Sequence, residues 1–325
     1  MSGPIPILRV PSSLLLAGML LAVPVHAAPT LAPTPRAGPP VALRTEIVLD
    51  RTTLEALRVP NPSQIAFDPG GNLYVLDASS RRVVKLDPRG GLLFDLGGYG
   101  TDEGSFSLPS DLIVDRRETL LVLDRGKNAV IAFDPAGHFL GDRGVGDDVA
   151  AEAFAPEARL LIDPFGALWL LGVRERDLIP LDDQLHRART SRFLAPEESL
   201  GTAAAAAFLP SGDVWAFDGR SIALRHFGSS GRLLRTVSLA DSTGAARASA
   251  LASDPDGYVY VADPGEQRIL VYDTGGRLLL ARTLGGRGSP WKPAALAIGR
   301  SDRLAIADPE RGEIQILSIE RAASP

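Results

Sequence analysis

Between Pro62 and Ser318 the chain alternates apolar runs of four to six residues with turns built from Gly, Pro, Asp and Asn. In the first such stretch the apolar runs cover residues 63–67, 73–76, 82–86 and 92–96. The intervening turns include Asp68-Pro69-Gly70-Gly71-Asn72 and Asp87-Pro88-Arg89-Gly90-Gly91. Runs this short, bounded by residues that accept turn dihedrals, predict strands and not helices. The whole phrase then recurs. Its first turn opens at Asp68, Asp115, Asp163, Leu209, Asp254 and Gly299, at spacings of 47, 48, 46, 45 and 45 residues. Six residues past each opening stand Tyr74, Leu121, Trp169, Trp215, Tyr260 and Ala305, and nine past it stand Asp77, Asp124, Gly172, Asp218, Asp263 and Asp308. Six copies of about forty-six residues, each reading as four short strands, predict an all-β chain: a six-bladed β-propeller of four-stranded antiparallel blades.

The ends of the repeat array predict how the ring closes. In the last copy the third strand, 313–319, is followed by only six residues, too few for a fourth strand. Residues 43–49 (LRTEIVL), upstream of the first copy, have strand character and no place in the first blade. The N-terminal strand is therefore expected to complete the sixth blade and remove the exposed sheet edges. This places one propeller domain at 41–321.

Ahead of it, residues 1–27 read as an export signal. Arg9 is followed by the apolar run LLLAGMLLAV and by Val25-His26-Ala27, with cleavage near Ala27. Ten apolar residues are too few to span a bilayer, so no transmembrane segment is expected after cleavage. Residues 28–40 hold five prolines without apolar periodicity and read as an extended linker. The expected location is periplasmic or secreted.

The chain's net charge is −5, and losing Arg9 with the signal makes it −6. A mildly acidic chain is a poor general binder of nucleic acid. It contains no cysteine, which excludes disulfides and thiolate chemistry.

The residues of the first copy, Pro62-Ser63-Gln64-Ile65-Ala66-Phe67-Asp68 and Gly71-Asn72-Leu73-Tyr74-Val75-Leu76-Asp77 with Arg82-Val83 and Leu86-Asp87, resemble an NHL repeat. So does the bridge Gly100-Thr101-Asp102-Glu103-Gly104-Ser105-Phe106-Ser107-Leu108-Pro109. The match is strong in copies one, two and five and weaker elsewhere, where Gly172, Leu209 and Gly299 break the pattern. The resemblance implies the six-bladed fold and several unrelated purposes. Some similar propellers are amidating lyases with a three-histidine metal site, and related lactonases use acidic and amide ligands on inner strands. His138, His186 and His226 occupy non-equivalent positions away from the inner strands, so a histidine zinc site is not expected.

Four residues before each turn stand Gln64, Asp111, Arg159, Ala205, Ala250 and Ala295. In the blades this chain resembles the position is small, because inner strands crowd the channel. Here one side of the channel is polar, with Asp111 and Arg159 on adjacent blades. They read either as a structural ion pair or as binding groups. The loops after the second strands carry Arg81, Arg125, Lys127, Arg174 and Arg220 in blades one to four, but Glu266 and Glu310 in blades five and six. A basic sector beside an acidic one would steer a charged partner. Tyr99, Phe106 and Trp291 lie in connections between blades, and Trp291 is the expected contact residue. Trp169 and Trp215 are expected in the core. The strand-end aspartates are expected to cap loops, with Asp77 and Asp263 also pairing Arg82 and Arg268. The acidic stretch 141–148 could contact calcium but lacks an ordered ligand spacing, and no other cofactor is expected.

These features lead to the expectation of a monomeric, exported, non-catalytic scaffold that recognises a protein or cell-envelope component. The alternative is a lactonase-like or amidating-lyase-like enzyme with its site at the channel mouth.

Overall fold

A computed structural model describes residues 41–321 apart from 101, 173, 190–191, 202–204, 240–246 and 287–288. The export signal and linker expected within residues 1–40 lie outside the described residues. The described residues fall in one compact unit, and no helix among them is long and apolar enough to cross a membrane.

The architecture is the six-bladed β-propeller that the repeat predicts. Blade 1 comprises the strands Gln64–Phe67, Leu73–Asp77, Arg82–Leu86 and Leu92–Gly97, paired antiparallel in that order. Blades 2, 4 and 5 repeat this arrangement. The innermost strands adjoin one another around the channel, and the cores lie between successive blades. Within each blade, alternate side chains of the same strand face opposite neighbours. Tyr74 and Leu76 pack toward blade 2, while Leu73 and Val75 pack toward blade 6.

Blade 6 closes the ring as expected. Its own strands are Ala295–Gly299, Arg303–Asp308 and Glu313–Arg321, and the strand Val41–Leu49 supplies the fourth. The register runs from Val41↔Arg321 to Leu49↔Ile314, with a bulge at Glu46. The chain then enters the short helix Arg51–Ala56. Asp50 caps it by accepting the Thr53 N–H at 2.9 Å, and Leu54 is fully buried between blades 6 and 1.

Blade 3 is the irregular one. Its sheet has three strands, Arg159–Ile162, Leu168–Gly172 and Asp177–Pro180, and its outer position is reduced to the single bridge Leu181↔Arg187. Pro180 at the strand's end has no N–H to give, and its carbonyl is satisfied by Ala188 N. The connection into this blade is also unusual, forming the helix Asp147–Ala153.

Candidate functional site

The channel and the loops around one of its ends form the candidate site. The innermost strands enclose a cavity of about 320 Å3. Gln64, Asp111 and Arg159 lie on its wall at one side, while Ala205, Ala250, Leu296 and Ala297 line the other. The strand-start position puts these groups at the end where the inter-blade connections and the second-to-third-strand loops converge, because Gln64 pairs with Leu76 next to the strand-end Asp77.

Among the described residues Asp111 is the sole carboxylate on this wall. It is buried, and its Oδ2 accepts the Leu160 N–H of the next blade at 2.7 Å. Burial pushes its carboxyl up to about 6, against the opposing pull of the Arg159 charge and of backbone N–H groups from Leu160 and Leu112. Among the described residues Arg159 makes no close ion pair with Asp111: its Nη1 donates to the Ala158 carbonyl at 2.9 Å, and its charge acts on the carboxyl through space.

The strand-end aspartates are loop staples. Asp124 accepts N–H bonds from Ser107 and Leu108 in the preceding connection, and from Gly126 and Lys127 in its own loop. Asp77, Asp218, Asp263 and Asp308 do the same between Asn61, Gly201, Arg247 or Lys292 and the following loop. Asp263 also holds Arg268 at 3.0 Å. Arg82, expected to pair with Asp77, turns instead to Asp95 on the outer strand. Blade 3 replaces the missing aspartate twice over. Glu152, delivered by the helix Asp147–Ala153, caps the Arg174 and Glu175 N–H groups, and a Cβ on Gly172 would stand 3.0 Å from its carboxylate. Asp177 reaches forward to the Phe193 and Leu194 N–H groups. Sequence reasoning missed Glu152, whose only signal is a carboxylate 22 and 23 residues upstream of the N–H groups it caps.

Around this staple ring the basic loop residues split into two groups. The side chains of Arg125, Lys127, Arg174 and Arg220 form no ion pair among the described residues, and the Arg125 Nε is buried without a hydrogen-bond partner. Arg81 lies over the Tyr99 ring at 4.4 Å. In blades 5 and 6 the cations are tied down: Arg268 to Asp263, Lys292 to Glu310 at 2.7 Å and Arg311 to Glu313 at 2.5 Å.

One expectation about an aromatic residue fails. Trp291 is fully buried between blades 5 and 6 with Tyr260, Leu304 and Leu317, so it cannot be a contact residue. The short strand pair Gly285–Gly286 and Ser289–Pro290 immediately precedes Trp291 in the same connection. Phe106 is likewise buried, against Phe133 and Gly97. Tyr99 is exposed, at 74%. Trp215 is fully buried as expected and stacks on His226, with ring centres 4.7 Å apart, while Trp169 packs against Phe193 and Phe208.

Among the described residues no group of three or more His, Cys, Asp and Glu side chains is placed to hold a metal ion. His138 pairs with Asp134 and His186 with Asp148, both on the outside of the ring. In the acidic stretch 141–148, Asp142 lies on the outer strand of blade 2, and Asp148 is already taken by His186 and the Arg187 N–H.

No protein-family model and no curated protein matches the sequence. Solved structures do match. A streptogramin B lyase is 11% identical with a TM-score of 0.63, over 86% of this chain and 97% of that one. A gluconolactonase from Xanthomonas campestris is 16% identical with a TM-score of 0.52, over 89% and 99%. A calcium-binding regucalcin from Agrobacterium tumefaciens is 18% identical with a TM-score of 0.56, over 81% and 91%. What these share with the present chain is the fold.

Proposed function

We propose that this protein is an exported, non-catalytic recognition scaffold of NHL type. It binds an acidic protein or cell-envelope component on the face that carries the inter-blade connections. The observation that carries this reading is the set of uncommitted cations at Arg125, Lys127, Arg174 and Arg220 beside a sector whose cations are internally neutralised. Free side-chain charge on a rigid ring raises encounter rates with an oppositely charged partner. The test is the double reversal Arg125→Glu/Lys127→Glu, with the surface-captured protein exposed to a solubilised envelope fraction. Association should slow about tenfold at low salt, and the difference should shrink as salt is raised. Unchanged association would move the binding face elsewhere.

A second reading rests on Asp111. A buried carboxyl raised to about 6 on the wall of a ligand-sized channel, with Gln64 and Arg159 alongside, is the arrangement a general acid or base requires. The solved neighbours named as lyase and lactonase keep this reading open, as a hydrolase or lyase acting on a small ligand. It requires a lactone or cyclic-ester probe to raise the melting temperature of the wild type but not of Asp111→Ala.

A further inference from the structure

Every regular blade carries a row of three side chains across its second, third and outer strands, facing the next blade. In blade 1 the row is Tyr74, Lys85 and Phe94; in blade 4 it is Trp215, His226 and Arg235; in blade 5 it is Tyr260, Val271 and Leu280. These rows fill the gap to the next blade so closely that a Cβ on Gly137 would meet the Phe94 ring at 3.1 Å, and one on Gly276 would meet Trp215 at 3.0 Å. In blade 2 the row is Leu121, Ala132 and Gly141, small at two of its three positions. Blade 3 answers with Leu185 where its neighbours have those glycines. Leu185 sits at a φ of 61°, a strained value for leucine, and is buried at the inner end of the gap. The outer end stays open as a cleft of about 760 Å3, lined by Leu121, Ala132, Gly141, Arg116, Arg143 and Phe165.

The turn carboxylate that belongs to each row points to what is missing. Asp68 Oδ2 receives the Lys85 ammonium at 3.0 Å, Asp163 Oδ2 receives the Trp169 Nε1–H at 3.0 Å, and Asp254 Oδ2 receives the Tyr260 hydroxyl at 3.0 Å. Asp115, which lines the cleft, spends its Oδ1 on the Arg117 and Thr119 N–H groups, and its Oδ2 receives no bond from the described residues. The cleft therefore lacks an aromatic body and a donor at the place where three other blades supply one or both from their own chain.

We propose that the cleft between blades 2 and 3 binds a small aromatic molecule carrying its own O–H or N–H donor, a phenol or an indole. The ring takes the space that Tyr74 and Phe94 fill in blade 1, and the donor meets Asp115 Oδ2. Phe165, 75% exposed, offers a ring at the rim. The volume lies within the range of small-molecule sites. The cleft opens beside the first-to-second-strand turns, at the opposite end of the strands from Asp111, so this site stands or falls independently of the proposed function.

The experiment is calorimetric titration of the intact protein with tyramine and with indole, using cyclohexylamine as the non-aromatic control. One site per chain is expected for both aromatic probes, with cyclohexylamine weaker by about tenfold or more. Leu121→Tyr supplies the missing phenol from the chain itself and should abolish binding while holding or raising the melting temperature. Ala132→Leu fills the same space from the neighbouring strand and should do likewise. Asp115→Asn should weaken tyramine about tenfold. No binding of either aromatic, equal binding of cyclohexylamine, or binding that survives both filling variants would each overturn the assignment.

Discussion

The two halves of the ring solve the same packing problem differently. Blades 4 to 6 line the channel with Ala205, Ala250, Leu296 and Ala297, and in blades 5 and 6 the cations Arg268, Lys292 and Arg311 are tied to neighbouring carboxylates. Their inter-blade connection even draws Trp291 into the core. Blades 1 to 3 put Gln64, Asp111 and Arg159 on the channel wall, leave Arg125, Lys127 and Arg174 unpaired, and tolerate a hollow row and a lost outer strand. One half is built for cohesion, and the other keeps polar groups uncommitted at some expense in stability. The polar residues at the channel position all fall in one half of the ring, which marks where selection asked for more than folding.

The largest test of this contrast is Trp291→Ala. If the closed half depends on that indole, the variant should lose about 3–5 kcal/mol in denaturant unfolding. A loss below about 1 kcal/mol would mean that the connection around Trp291 is not part of the cohesive half.

Next in size is Asp111→Asn. A carboxyl ordinarily near 3.8 and raised to about 6 in the fold takes up a proton on folding between those values. Its ionised form therefore weakens the fold increasingly as pH climbs from 4 to 6, reaching a penalty of up to about 3 kcal/mol at pH 7. The amide can still accept the Leu160 N–H without carrying the charge. The variant should match the wild type near pH 4 and be more stable at pH 7, as read from melting curves at both values. A constant difference across that range would show Asp111 to be unstrained.

Smallest is the stability change in Arg125→Glu/Lys127→Glu, expected within about 0.5 kcal/mol because neither side chain has an ion-pair partner to lose. A larger drop would reveal that these cations hold the fold after all and would erase the contrast.

Much of this was legible in the chain. The period, the six blades and the closing strand at Val41–Leu49 follow from short apolar runs recurring at one spacing, since each blade must place equivalent residues at equivalent depths. The capping role of Asp124 and its counterparts was legible for the same reason. What escaped was whatever depends on the path between blades. Trp291 lies in a glycine-rich connection whose direction no periodicity fixes, and only the fold shows it turning inward. The rescue of Gly172 by Glu152 requires the helix Asp147–Ala153, which the repeat itself does not encode. Asp111 and Arg159 looked complementary by type, yet Asp111 accepts the Leu160 N–H and Arg159 donates to the Ala158 carbonyl, contacts that depend on the local backbone path. The hollow row of Leu121, Ala132 and Gly141 was visible in the sequence only once the strand register aligned it with Tyr74, Lys85 and Phe94.

The register Val41↔Arg321 carries a consequence for the order of assembly. Of the propeller's strands, the one that closes blade 6 is made before the rest, and the strand it pairs with is made after them. During synthesis, residues 41–49 must remain an unpaired edge until the other strands of the ring have emerged, and joining them then closes a loop of roughly 270 residues, an entropic cost that grows only slowly with length. Ring closure is thus the contact of longest range and should be a slow, late event in folding. Until it happens, blades 1 to 5 can form while blade 6 lacks its outer strand, and the circle is a spring with two free ends.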